Sequence, residues 1–371
     1  MIGSAIVERI VRARNANEDF KIIVVMPAVP AFAGDLQSDG ALGTRAIMEF
    51  QYASIGRGGH SIIERLQREG IDDWQRYISF YNLRNYDRIN DSSSTMLEAD
   101  DGDWETVSAC YMDSGVRIED VPWQGSPEDE MNAYVSEELY VHSKLLIADD
   151  QLVICGSANL NDRSQLGIHD SEIAVVIQDP TEVQSYMNGQ PYTAGKFAAS
   201  LRRYITRKHL GLLPDQRWDR PTANWTPIDH HASNEYDWDS RNDELVRDPL
   251  GREFIELWER TAQTNTEVFS KVFHNVPNDC VRTWSDYDDF FSKHFIIPGS
   301  EDEKAGKNLD GKVYYGHVVP EEFTGGVEEV KDWLRRVRGS LVEMPLGFLA
   351  DVDDIAKDGL TLNGLTDELY T

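Results

Sequence analysis

The chain has 371 residues, enough for one large or two ordinary domains with a substantial core. Its formal charge of −29 sets the whole-molecule field against polyanions, which excludes general nucleic-acid binding and leaves any contact with an acidic surface to a local basic patch. No apolar run approaches the roughly 20 residues of a membrane span, and Glu8, Arg9, Arg12 and Arg14 interrupt the N-terminal stretch where a signal peptide would need an apolar one.

Residues Ala5–Arg14 are predicted as an amphipathic helix with Ile6, Ile10 and Ala13 on one side and Arg9, Arg12 and Arg14 away from it. Lys21-Ile-Ile-Val-Val-Met26, ended by Pro27, reads as a buried central strand. After the Pro27–Asp35 loop come two helices, Thr44–Tyr52 and Ser61–Glu69, and an alternating strand, Tyr77–Tyr81. Residues 91–137 are polar, acidic and punctuated by Gly and Ser, as expected of an insertion. The acidic runs Glu98–Asp103, Glu128–Glu130, Asp229–Glu244 and Glu301–Glu303 are expected to be solvated loops. Cys110, Cys155 and Cys280 are odd in number, widely separated and without metal-ligand spacing, which points to reduced thiols.

Two short apolar strands, Leu139–Ile147 and Leu152–Cys155, are predicted around the turn Asp149-Asp150-Gln151. Alternation would set Tyr140, His142 and Lys144 on one face, with Gly156-Ser157-Ala158-Asn159 where the second strand ends. An acid/base or nucleophile, a fixed cation and polar donors on a tight turn suit a phosphate better than a core. Glu172-Ile-Ala-Val-Val-Ile177 then reads as a second buried strand. Ala194–Leu212 reads as a helix with a basic face of Lys196, Arg202, Arg203, Arg207 and Lys208, which is either solvated or turned to phospholipid head groups. Residues 213–250 form a second acidic insertion; His230-His231 lack a third and fourth ligand at useful spacing, so no metal site is expected. Arg252–Phe273 has a good helix pattern.

The spacing His142-x-Lys144, four residues, Asp149, six residues, Gly156-Ser157-x-Asn159 resembles the HKD signature of the phospholipase D superfamily. Ile23-Val-Val-Met-Pro…Gly34-Asp35, Arg57-Gly-Gly-His-Ser-Ile62, Tyr77-Ile-Ser-Phe-Tyr-Asn-Leu-Arg84 and the C-terminal runs from Val281 to Phe348 are similar to eukaryotic, fungal-type phospholipases D. The resemblance implies an α/β fold, a mixed sheet flanked by helices. Residues 1–212 would be the second HKD half of a pseudo-duplicated catalytic domain, and 251–371 a C-terminal region packed on that core. It implies hydrolysis of phosphatidylcholine to phosphatidic acid and choline through a phosphohistidine. His142 would then be general acid and base, Lys144, Ser157 and Asn159 would hold the phosphate, Asp149 would fix local geometry, and Glu172 would orient the histidine. No metal or other cofactor is implied for the chemistry; phosphoinositide bound at Arg9, Arg12, Arg14 and Lys21 is the implied activator.

None of the other eight histidines carries the motif, so the nucleophilic histidine is expected from elsewhere, a first HKD half or a second copy. The implied setting is cytoplasmic and peripherally membrane-associated, with a phospholipid surface as partner and no nucleic acid. One departure is His169-Asp-Ser-Glu172, where the family usually carries Arg; a bidentate donor is lost there. The competing readings are an inactive half-enzyme or a phosphoinositide- or partner-binding fragment, and, within the superfamily, a nuclease or phosphatidyltransferase.

Overall fold

The computed structural model describes residues 2–30, 35–38, 41–89, 117–168, 170–213, 238–296 and 311–356. Expectations that fall on His169, on Cys110, on His230 and His231, and on most of the acidic runs lie outside the described residues. In chain order the elements are α1 (Ile2–Asn15), β1 (Ile22–Val25), α2 (Leu42–Ile55), α3 (Ile62–Arg68), β2 (Ile78–Arg88), α4 (Pro127–Ala133), β3 (Tyr134–Glu138), β4 (Lys144–Ala148), β5 (Leu152–Gly156), α5 (Asp162–Gln165), β6 (Ala174–Ile177), β7 (Glu182–Met187), β8 (Gln190–Gly195), α6 (Lys196–His209), α7 (Arg241–Arg247), α8 (Arg252–Phe273), α9 (Trp284–His294), β9 (Phe295–Ile296), β10 (Val313–Tyr314), α10 (Val327–Leu334) and β11 (Leu341–Glu343). The class is the expected one, mixed sheets flanked by helices.

The main sheet is built on β2. Its first half pairs in parallel with β1 (Ile22↔Ile78 to Val25↔Tyr81), and β11 runs antiparallel on the other edge (Leu341↔Leu83). Beyond the end of β1, β3 takes over antiparallel along the second half of β2 (Arg84↔Glu138 to Arg88↔Tyr134). β1 is therefore an edge strand among the described residues, and all four of its residues are half-buried. One core packs Ile10, Met48, Tyr52, Leu66, Ile78 and Phe80 with Phe291 and Phe348, so residues from α1 to 348 share it. α8 lies against β11, where the buried Asn265 side chain donates to Arg338 O (2.8 Å) and Leu341 O (2.9 Å).

Residues 117–137 fall inside the stretch expected to be an insertion, yet they carry α4 and all but the last residue of β3. The reason is charge. Arg88, fully buried at the end of β2, pairs with Glu130 at 2.5 Å and donates to Val121 O at 2.9 Å, and Lys331 of α10 reaches Glu130 at 2.9 Å. A buried arginine demands such partners, so part of an acidic run becomes structural.

A second sheet, β4-β5-β6, is antiparallel, with Lys144↔Gly156↔Ala174 at one end. The β7–β8 hairpin leads from it into α6. The basic face of α6 meets neither solvent nor lipid over most of its length. Arg203 and Arg207, each buried, approach the fully buried Asp243 of α7 at 3.2 and 3.6 Å, and Arg202 grips Asp150 through Nε (2.6 Å) and Nη2 (2.8 Å). Carboxylates distant in sequence turn the stripe inward. β6 differs in the opposite sense: Val175 and Val176 are 54% and 64% exposed, and Ile173 beside them 77%. Successive strand residues point to opposite faces, so β6 is open on both.

Two histidines are held neutral by the fold. Burial, and to a lesser degree Lys208, pushes His209 down to about 4. Burial, with the charge of the neighbouring His294, does the same to His274, whose ring lies 4.4 Å from that of His294. Lys271 and Lys293 oppose protonation there and Glu322 favours it. These histidines bind protons in the unfolded chain below their ordinary pKa of 6.5 but not in the native state. Stability is therefore full above pH 6.5, falls as pH drops towards 4, and levels off below that on this account. Urea midpoints measured across this range should follow that slope in wild type, and His209→Gln should flatten it.

Candidate active site

Residues expected to begin the signature strand do not pair. Leu139 N–H still donates to Leu83 O at 2.8 Å, but residues 139–143 then cross from the main sheet to the second one, and β4 starts only at Lys144. His142 sits on this connector. Its imidazole is exposed and has no hydrogen-bond partner among the described residues, with the Tyr140 ring 6.1 Å away. The Lys144 ammonium donates to His142 O at 2.6 Å, which ties the two signature residues through the backbone.

The register does the rest. Lys144 opens β4, Gly156 closes β5 opposite it, and Ala174 opens β6 opposite Gly156, so three distant segments meet at one end of the sheet. Ser157 N–H donates to Ile173 O, and Ile173 N–H returns to Ser157 Oγ, both at 3.0 Å. The Ser157 hydroxyl donates in turn to the Glu172 carboxylate. Glu172 thus holds Ser157; no hydrogen bond joins it to His142 among the described residues. Asn159 is exposed, and its carbonyl accepts from Gln165 Nε2 at 2.9 Å. Arg163 Nε donates to Asp170 at 3.0 Å and bounds the same loop.

Gly156 is required by this crossing. A Cβ there would lie 2.5 Å from Ile173 O and 2.7 Å from the Ala174 Cβ. Gly156→Ala should therefore cost about 1–3 kcal/mol in urea unfolding, the usual penalty of overpacking without room to relax.

Asp149 is not part of this end. It lies at the far end of the hairpin, five residues and roughly 17 Å of strand rise from Lys144. Asp149 and Asp150 both have positive φ (50° and 53°) in a turn closed by Gln151 N–H to Ala148 O at 2.9 Å. Asp149 is exposed and its carbonyl accepts from the Tyr192 hydroxyl at 2.7 Å, whereas its neighbour Asp150 is buried against Arg202. The Asp150–Arg202 pair was not singled out by the sequence reading; the doubled aspartate before a basic helix was the available signal.

The family model described as Phospholipase D matches residues 1–251. The chain belongs to the phospholipase D family. Among its relatives, Phospholipase D1 of Homo sapiens is 32% identical over 351 residues, 94% of this chain and 24% of that protein. Phospholipase D zeta 2 of Arabidopsis thaliana is 31% identical over 352 residues, 95% and 26%. Phospholipase D1 of Schizosaccharomyces pombe is 38% identical over 250 residues, 63% and 15%. The chain spans about a quarter of the length of the first two.

Within this phospholipase D family chain, the four basic residues expected to meet phosphoinositide divide. Arg9 stacks on Phe20 at 4.0 Å and pairs bidentately with Glu18 at 2.8 and 3.1 Å. Lys21 is nearly buried and donates to Gln75 O at 2.6 Å, and burial lowers its pKa. Arg12 and Arg14 are exposed, with no hydrogen-bond partner among the described residues. No group of three or more metal-binding side chains occurs among the described residues, and no described helix is long and apolar enough to cross a membrane.

Proposed function

We propose that this chain supplies the acid–base half of a phospholipase D active site acting on phosphatidylcholine. The observation that supports the reading is that register brings Lys144, Gly156-Ser157 and the Glu172 segment to one end of the β4-β5-β6 sheet, with His142 tied to Lys144 through its carbonyl on the connector that enters there. A histidine from another HKD half attacks phosphorus, and the P–O bond to choline breaks. The His142 imidazolium gives its proton to the departing choline oxygen. Neutral His142 then takes a proton from water, whose oxygen attacks the phosphohistidine and releases phosphatidic acid, restoring both histidines. A primary alcohol in place of water gives a phosphatidyl alcohol.

Lys144 carries the positive charge that faces the phosphate oxygens, and the Asn159 amide has free donors for them. Ser157 is engaged with Glu172, so we read this pair as fixing the floor of the site, with Glu172 acting on the histidine only through that floor. The chemistry draws its electrophilic clamp from these side chains and does not call on a metal. The exposed apolar residues of β6 support docking of a complementary half that carries the nucleophilic histidine. Exposed Arg12 and Arg14 support contact with an anionic lipid surface, and peripheral attachment to a cytoplasmic membrane is part of the same proposal.

The test is reconstitution. The chain alone should release no choline from phosphatidylcholine vesicles. Mixed with a relative's first HKD half it should release choline and, with butanol present, form phosphatidylbutanol. No product in either case would contradict the proposal.

A further inference from the structure

We infer that Glu138 and Tyr140 are positioning residues that hold the connector bearing His142, an inference that rests on the acid–base reading of His142. Among the described residues the connector 139–143 has no strand partner after Leu139, and the imidazole it carries has no hydrogen-bond partner. A pocket of about 420 Å³ lined in part by Arg84, Glu138, Tyr140, Tyr315 and His317 opens beside it. Polar staples tie the segment down.

The staples act on the segment after β1. In Pro27-Ala28-Val29-Pro30 the prolines have no N–H, so Ala28 and Val29 carry its only backbone donors. The Glu138 carboxylate accepts both, at 2.6 and 3.1 Å. The Tyr140 hydroxyl donates to Pro30 O at 2.8 Å. The receiving segment is itself fixed: Met26 N–H donates to Tyr81 O at 2.9 Å, and Gln51 Nε2 of α2 reaches Pro27 O at 3.2 Å. Past His142, Lys144 closes on the His142 carbonyl at 2.6 Å. The histidine is thus bracketed by a bond from Tyr140, two residues before it, to Pro30 O and by one from Lys144, two residues after it, to the histidine's own carbonyl. Only a carboxylate can do what Glu138 does, because an amide of the same shape offers one acceptor oxygen for two donors. Arg84, its cross-strand partner, favours the charged form, whereas burial, the larger effect, pushes the Glu138 carboxyl up.

The test uses the isotope-labelled chain, with His142 ring signals read by nuclear magnetic resonance in wild type, Tyr140→Phe and Glu138→Gln. The expected result is that both variants shift and broaden the His142 ring signals. Glu138→Gln should also lose hydrogen-exchange protection at Ala28 and Val29, and Glu18→Gln at the surface should change none of these signals. In the reconstituted enzyme each staple variant should lower kcat by about 10²-fold at unchanged KM, the cost of misplacing an acid by about an ångström. Unchanged His142 signals and unchanged kcat in folded Tyr140→Phe would overturn the inference, whether or not Glu138→Gln folds. If His142→Ala retains full turnover while the ring signals still move in Tyr140→Phe, the acid–base reading fails and the staple stands.

Discussion

His142→Ala in the reconstituted enzyme lowers choline release and phosphatidylbutanol formation together, by about 10²–10⁴-fold, the usual contribution of a positioned general acid or base. Both products fall because the same imidazole serves two steps. In the proposed mechanism it protonates the departing choline oxygen and later deprotonates the incoming water or alcohol. Binding should change little: the His142 ring is exposed, and the proposed reading assigns the phosphate to Lys144 and Asn159. The loss therefore falls on kcat with KM for vesicles nearly constant, and circular dichroism should be unaltered, since the imidazole holds no described hydrogen bond. Lys144→Ala should behave differently. It removes both the charge facing the phosphate and the bond to His142 O, so kcat and KM change together.

The largest effect on stability is expected at Asp243. It is fully buried and lies between Arg203 and Arg207, themselves buried to within 1%. It also accepts the Asp239 backbone N–H at 3.1 Å, and Ser240 Oγ caps its own backbone N–H at the start of α7 at 3.1 Å. Asp243→Ala removes the buried carboxylate that Arg203 and Arg207 both approach, and breaking a buried pair from one side costs about 3–5 kcal/mol. A lowered Arg203 pKa, driven first by burial, points the same way: the charge is held against desolvation chiefly by Asp243. Urea unfolding should report that loss, with α6 and the β7–β8 hairpin exchanging amide protons first. A loss below about 1 kcal/mol would mean that solvent reaches the pair.

The hairpin from Lys144 to Gly156 was legible because antiparallel register depends on residues close in sequence. The bond from Ser157 to Glu172, the residue expected to orient His142, was not. Nor was the connector. Leu139–His142 alternate like a strand, but Glu138 and Tyr140 are pulled to Ala28–Pro30, more than 100 residues away, and no local pattern announces that. The same holds for α6, whose basic stripe looks solvated until Asp150 and Asp243 arrive from other elements. Glu130 belongs to an acidic run by composition and to the core by its partner Arg88. β11 supplies an edge of the main sheet with only three residues, too few for a period-2 signal to stand out. In the other direction, the apolar run of β6 reads as buried, and its exposure here follows from what is absent beside it among the described residues.

The most direct test is the location of the covalent phosphorus. Reconstituted enzyme is mixed with phosphatidylcholine radiolabelled at phosphorus, quenched in denaturant at alkaline pH, where phosphohistidine survives, and the two halves are separated. If His142 is the acid and base, the label is found on the complementary half. A His142→Ala enzyme given a substrate with a p-nitrophenol leaving group, which needs no acid, should release one equivalent of nitrophenol and then stall with the label in place. Label on the peptide that contains His142 would contradict the acid–base assignment and make His142 the nucleophile.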